Sequence, residues 1–180
     1  MKNKSLNTQA AHVHKIHIQW WRDIHTGLPI NKNSGELLML VITELAEAVE
    51  GIRKNLMDDK LPHRKMEEVE MADAKIRLLD LAGGFGLDLW ENTENQKPHL
   101  EFTGNKAEEI LRICHMVSST SFAEGLSVSL GVSLIIRAIE TYCRHYQLDL
   151  EGAILEKLEY NQKRQDHKVE HRRSEHGKKF

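Results

Sequence analysis

The chain has 180 residues, 25 Lys and Arg against 27 Asp and Glu, and a formal net charge of −2. That length fits a single domain able to bury roughly 70% of the surface its unfolded form exposes, and the near-neutral charge excludes the basic footprint of a general nucleic-acid binder. No apolar run approaches the roughly 18 residues of a membrane span, and the N-terminal stretch MKNKSLNTQAAHVHKIH lacks the apolar core of a secretory signal, so a cytoplasmic protein without a membrane partner is expected.

Three prolines, Pro29, Pro62 and Pro98, each stand between segments of helical apolar spacing, which predicts an all-α chain. A first helix is expected over about Ala10 to Thr26, followed by a turn from Gly27 to Ser34. His14 and His17 share one face of that helix at a spacing open to zinc, but no cysteine is near and a solvated helix end is the plainer reading. Trp20 and Trp21 supply the large apolar surface that docks an amphipathic helix, so core packing is preferred over stacking on a base.

A second helix is expected from Ser34, as N-cap, to about Asn55, with Leu38, Val41, Leu45, Ala48, Val49 and Ile52 on its core stripe. The third begins after Pro62 and ends in GGFG. Its wheel carries two apolar strips, one of Val69, Ala72, Ile76 and Leu79 and one of Met71, Ala74, Leu78 and Leu81. Between them runs a polar strip of Glu70, Asp73, Arg77 and Asp80, which such flanks should partly enclose.

Leu89 to Gly104 reads as a loop, and helices are expected at about Asn105 to Thr120, Phe122 to Tyr146 and Leu148 to Arg164. LSVSLGVSL alternates like a strand, but with no second strand to pair with it the helical spacing of IIRAIETYCRHY decides for helix. RLLDLAGGFGLDL and RAIETYCRHYQLDL end alike, a similarity too short to establish a repeat. Cys114 and Cys143 lie in apolar helical patterns and are expected as reduced, buried thiols. The last eighteen residues carry seven Lys and Arg against three acids and three histidines, a composition expected of a basic mobile tail over about 165–180.

Two acidic pairs at i,i+3 spacing carry the functional reading: Glu44 with Glu47, and Glu70 with Asp73. A short connection between their helices makes the helices antiparallel neighbours, so four carboxylates can converge. Like charges so placed repel, and a hard divalent cation with oxygen ligands relieves them, Mg²⁺ fitting best with Mn²⁺ as substitute. Di-iron bundles use Glu-x-x-His pairs, and no Glu stands three residues before any of the eleven histidines. Glu50 and Asp80 would extend the shell or orient water, or pair with a neighbouring cation; Arg77 is expected to pair with Asp73. Spacing alone leaves open that both acidic pairs are ordinary solvated faces.

LLMLVITELAEAVEGIRKN, EEVEMADAKIRLLDLAGGFGLDL, AILEKLEYNQKRQ and the terminal HGKKF, in this order, resemble the MazG-like nucleotide pyrophosphohydrolases of the all-α NTP pyrophosphatase superfamily. The resemblance covers about residues 35–90 and 148–180 and places the family's Glu-x-x-Glu and Glu-x-x-Asp motif on Glu44, Glu47, Glu70 and Asp73. It implies an antiparallel helical bundle over 1–180 with an extra helical insertion at about 92–147, and hydrolysis of a (deoxy)nucleoside triphosphate to the monophosphate and pyrophosphate. It also implies Mg²⁺ on those four carboxylates, catalytic roles for Glu44, Glu47 and Glu50, and a homodimer or dimer of dimers. Lys157, Asn161 and Arg164 share one face of the last long helix at i, i+4 and i+7, a spacing the family associates with the nucleotide. Where many members carry a further Glu, Thr43 stands here, so that carboxylate has no carrier. The rival expectation is a non-catalytic helical binding or assembly module on the same scaffold.

Overall fold

Asp23 decides where the first helix stops. The computed structural model describes residues 4–90, 100–120, 125–164, 169–174 and 177, and in it α1 spans Leu6–His17, capped by the Ser5 side chain, and gives way to a 3-10 turn at Ile18–Trp21. The expected single helix to Thr26 is broken because the Asp23 carboxylate accepts from His25 N, Thr26 N and the Thr26 hydroxyl, offering the backbone a turn in place of a helix. The chain doubles back, and Arg22 bridges Pro29.

Helix α2 spans Ser34–Lys54. Its N-cap is Asn33, one residue before the expected Ser34, and Asn55 at φ 51° ends it in the left-handed conformation. Leu38, Val41, Leu45 and Ala48 are buried, as the stripe predicts. Helix α3, Met66–Phe85, is the central element and packs against α1 and α2. Gly51 abuts Met66 while Glu44 reaches Arg77, so α2 and α3 run antiparallel. Both expected apolar strips of α3 are buried, with Asp73, Arg77 and Asp80 half-buried between them and Glu70 buried.

GGFG is more than a helix end. Gly83 and Gly84 lie within α3, and a Cβ on them would overlap His14 and the Trp21 ring respectively. Their bareness lets α1 and its 3-10 extension sit directly on α3. Gly86, at φ 63°, then terminates the helix.

Helices α4 (Lys106–Ser118), α5 (Gly125–His145) and α6 (Leu150–Lys163) follow, with Asn105 and Asp149 capping α4 and α6. The alternating stretch in α5 is helical, and buried Ser133 is satisfied within it, donating to Ser129 O at 2.6 Å and accepting from Trp90 N at 2.9 Å. Helix α4 packs on α2 and α5, and α5 and α6 pack on α3, so the region from 100 to 147 shares the same core. Buried polar groups tie it in. Lys75 Nζ lies 2.8 Å from Glu140, and buried Glu67 accepts from Lys106 and Tyr142 at 2.8 Å. Cys143 is buried and Cys114 half-buried, both free thiols whose pKa burial pushes up.

A four-residue helix α7, Val169–Arg172, falls within the segment expected as the basic tail. Among the described residues the fold is all-α, and no helix is long and apolar enough to cross a membrane. The part of the expected loop at 91–99 lies outside the described residues.

Candidate functional site

The antiparallel pairing of α2 and α3 brings one carboxylate oxygen from each of Glu44, Glu47 and Glu70 within 4.8 Å of one another. Glu44 and Glu70 are buried while Glu47 is exposed, so the group opens to solvent on one side. Asp73, one turn beyond Glu70, is drawn to α6, where its Oδ2 lies 2.9 Å from Lys157 Nζ. Three of the four expected ligands thus stand as one group and the fourth is held beside it by a lysine.

The electrostatics follow from that crowding. Burial first, then the Asp73 and Glu44 carboxylates, push Glu70 up to about 9. Burial raises Asp73 to about 6 against the pull of Lys157, and burial with the neighbouring Glu44 raises Glu47. Lys157, itself buried, is opposed by desolvation, yet attraction to Asp73 leaves its pKa above the usual lysine value. Burial and mutual repulsion thus disfavour the charged form of all three carboxyls, a penalty that a bound cation would relieve.

Arg77 bonds Glu44 rather than the expected Asp73, with Nε and Nη2 both 2.5 Å from Oε1. Glu50 lies outside the group. It pairs along its own helix with Arg53 at 2.7 Å and Lys54 at 2.5 Å, and those bonds hold its pKa down. Asp80 binds the first helix and its 3-10 extension, accepting from Trp21 Nε1 at 3.1 Å through both oxygens and lying 3.0 Å from His14 Nδ1, and it also lines the cleft beside the carboxylates. The solvated helix end expected for His14 and His17 is therefore half-buried against an acid, and burial lowers the pKa of His17.

Beside the carboxylates opens a cleft of about 130 Å³. Its charged walls are Asp73, Asp80, Arg77, Lys32 and Arg164, and its aromatic wall is Trp20 with Trp21. Asn161 lines it too, and its Oδ1 is buried with no hydrogen-bond partner among the described residues. The i, i+4, i+7 face of α6 is thus divided, Lys157 binding Asp73 while Asn161 and Arg164 face the cleft.

No family model, curated protein or solved structure matches the chain.

The geometry adds residues that sequence reading did not select. Trp20 lines the cleft where core packing alone was expected, and only Trp21 is fully buried. Lys32 lay in what reads as an ordinary polar turn, NKNS, and carries no motif signal. Its position depends on the Arg22 to Pro29 reversal, a tertiary feature.

Proposed function

We propose that the chain is a Mg²⁺-dependent nucleoside triphosphate pyrophosphohydrolase on a bundle of the MazG-like type, acting as a homodimer or dimer of dimers. The observation that carries this is the convergence of Glu44, Glu47 and Glu70 within 4.8 Å, linked through Arg77 on Glu44 to a neighbouring cleft that Asp73, Asp80, Lys32, Arg164 and tryptophan also line. The donor set fits the ion: oxygen only, acidic, and mutually repelling without a cation. Glu44, Glu47, Glu70 and Asp73 would hold it. When bound, such an ion neutralises phosphate charge and makes a water more acidic.

The chain's own residues do the rest. Lys32, Arg77 and Arg164 draw the polyphosphate into the cleft through charge-assisted bonds. Asn161 offers its unpaired Oδ1 to an N–H or O–H of the nucleoside. Trp20 presents a flat apolar surface to the base. Glu47, exposed and with a raised pKa, accepts the proton of the attacking water. Thr43 takes no such part, since its hydroxyl donates to Leu40 O at 2.7 Å. Water oxygen bonds to the α-phosphorus, the bond to the bridging oxygen breaks, and pyrophosphate leaves.

One observation favours the second reading, a non-catalytic binding or assembly module. Arg77 on Glu44 and Lys157 on Asp73 already give two of the four carboxylates a countercharge. Calorimetric titration with Mn²⁺, paired with a pyrophosphate-release assay over canonical, deoxy and modified triphosphates, separates the two. The enzyme binds Mn²⁺ and releases pyrophosphate from at least one substrate, whereas the module does neither.

A further inference from the structure

The C-terminal helix touches the cleft wall, and nothing in the proposed chemistry uses that contact. Arg172 is only 3% exposed. Its guanidinium carbon lies 3.8 Å from the centroid of the Trp20 ring, and its Nη1 donates to Gln19 O at 3.0 Å. The next residue, Arg173, donates from Nε to Ile24 O, also at 3.0 Å. These contacts tie a segment about 150 residues downstream to the one turn that presents Trp20 to the cleft. Gly177 closes the segment back over Arg172, at a position where a Cβ would overlap the Arg172 carbonyl.

The arrangement is costly for a mere tail. A buried guanidinium is normally matched by a carboxylate, yet among the described residues none pairs with Arg172, and its Nε has no partner. Burial lowers its pKa. Lys32, on the cleft wall, is also lowered, by burial first and then by the charge of Arg172. Asp80 and Glu36 offset part of this at Lys32, but no carboxylate pairs with Arg172 among the described residues, and a bound anion beside the aromatic wall would relieve both cations.

We propose that Arg172 is a positioning residue of the cleft: from the C-terminal segment it fixes the Trp20 ring as a wall and, with Lys32, supplies positive charge for the phosphates of the ligand. This rests on reading the cleft as a nucleotide site. Cation–π stacking and the Gln19 carbonyl set the ring's place, so losing the guanidinium loosens the wall and removes charge together.

The test uses the full chain. Acrylamide quenching assigned to Trp20, by difference from Trp20→Phe chains, is measured for wild type, Arg172→Ala, Arg172→Gln and Arg172→Lys. Binding of the four α,β-imido deoxynucleoside triphosphates with Mg²⁺ is measured in parallel. Arg172→Ala and Arg172→Gln are expected to raise Trp20 quenching about twofold and weaken binding about tenfold, with Arg172→Lys recovering most of both. The glutamine variant keeps the reading available if alanine disturbs folding. Unchanged quenching, unchanged affinity, or a lysine variant no better than alanine overturns the proposal while wild-type binding leaves the nucleotide reading standing. Failure of the wild type to bind any analogue overturns both.

Discussion

Lys157 Nζ lies 2.9 Å from Asp73 Oδ2, joining α6 to the acidic face of α3 with both side chains largely out of water. The pair commits Lys157, which the family resemblance associates with the nucleotide, to Asp73, where it competes with any cation. Lys157→Ala is expected to lower kcat/KM on the order of ten- to a hundredfold, because Asp73 loses the charge-assisted contact of about 1.5 to 3 kcal/mol that holds it in place. Mn²⁺ affinity in the same variant should hold or rise, since Asp73 is freed and no ligand is removed. Steady-state kinetics beside calorimetry reads both, and weaker Mn²⁺ binding with normal kinetics would sink the assignment.

The raised carboxyls fix the sign of the pH dependence. Glu70 moves from 4.5 to about 9 and Asp73 from 3.8 to about 6, so between about pH 4 and 9 these two groups bind more protons in the folded chain than in the unfolded one. The stability they contribute to the metal-free protein is full at low pH and is lost as pH rises through that window. Glu70→Gln removes the larger part of the effect, so its melting temperature in chelator should exceed that of wild type at pH 8, by about 2 to 4 °C for each kcal/mol of relief. Mg²⁺ should stabilise wild type increasingly with pH and the variant hardly at all. Melting curves from pH 5 to 9, with and without Mg²⁺, check this; a metal-free protein that gains stability toward pH 9 contradicts it.

Gly84 is a second sharp point. A Cβ there would overlap the Trp21 ring, and both neighbours are fixed by their helices and by the bond from Trp21 to Asp80. Gly84→Ala should destabilise by about 1 to 3 kcal/mol, the usual range for overpacking a filled core, despite alanine's better helix propensity. Denaturant unfolding monitored by tryptophan fluorescence measures it, and a stabilised variant would mean that α1 does not sit on α3 as described.

Much of the helical frame could be read from the chain because apolar periodicity is local. The α2 stripe and the two strips of α3 are visible in sequence, and so is the enclosed polar strip between them. The meeting of Glu44, Glu47 and Glu70 needed only a short connection and antiparallel helices. What escaped was tertiary. Glu50 pairing with Arg53 and Lys54 one turn on is among the readings its spacing allows, but nothing in the order of residues shows that Arg77 would choose Glu44 over Asp73, or that the turn after Asp23 would bring Lys32 to the cleft. The glycines of GGFG read as a stop signal, and their larger use, admitting His14 and Trp21, depends on a helix some 70 residues upstream.

Hydrolysis in ¹⁸O-labelled water tests the central claim most directly, because it reports which phosphorus is attacked. With Mg²⁺ and the best triphosphate of a panel, the label should enter the nucleoside monophosphate alone, pyrophosphate should emerge unlabelled, and Glu47→Gln or Asp73→Asn should abolish the reaction without unfolding the chain. Label in pyrophosphate or orthophosphate, full turnover in excess chelator, or no turnover of any triphosphate would contradict the account.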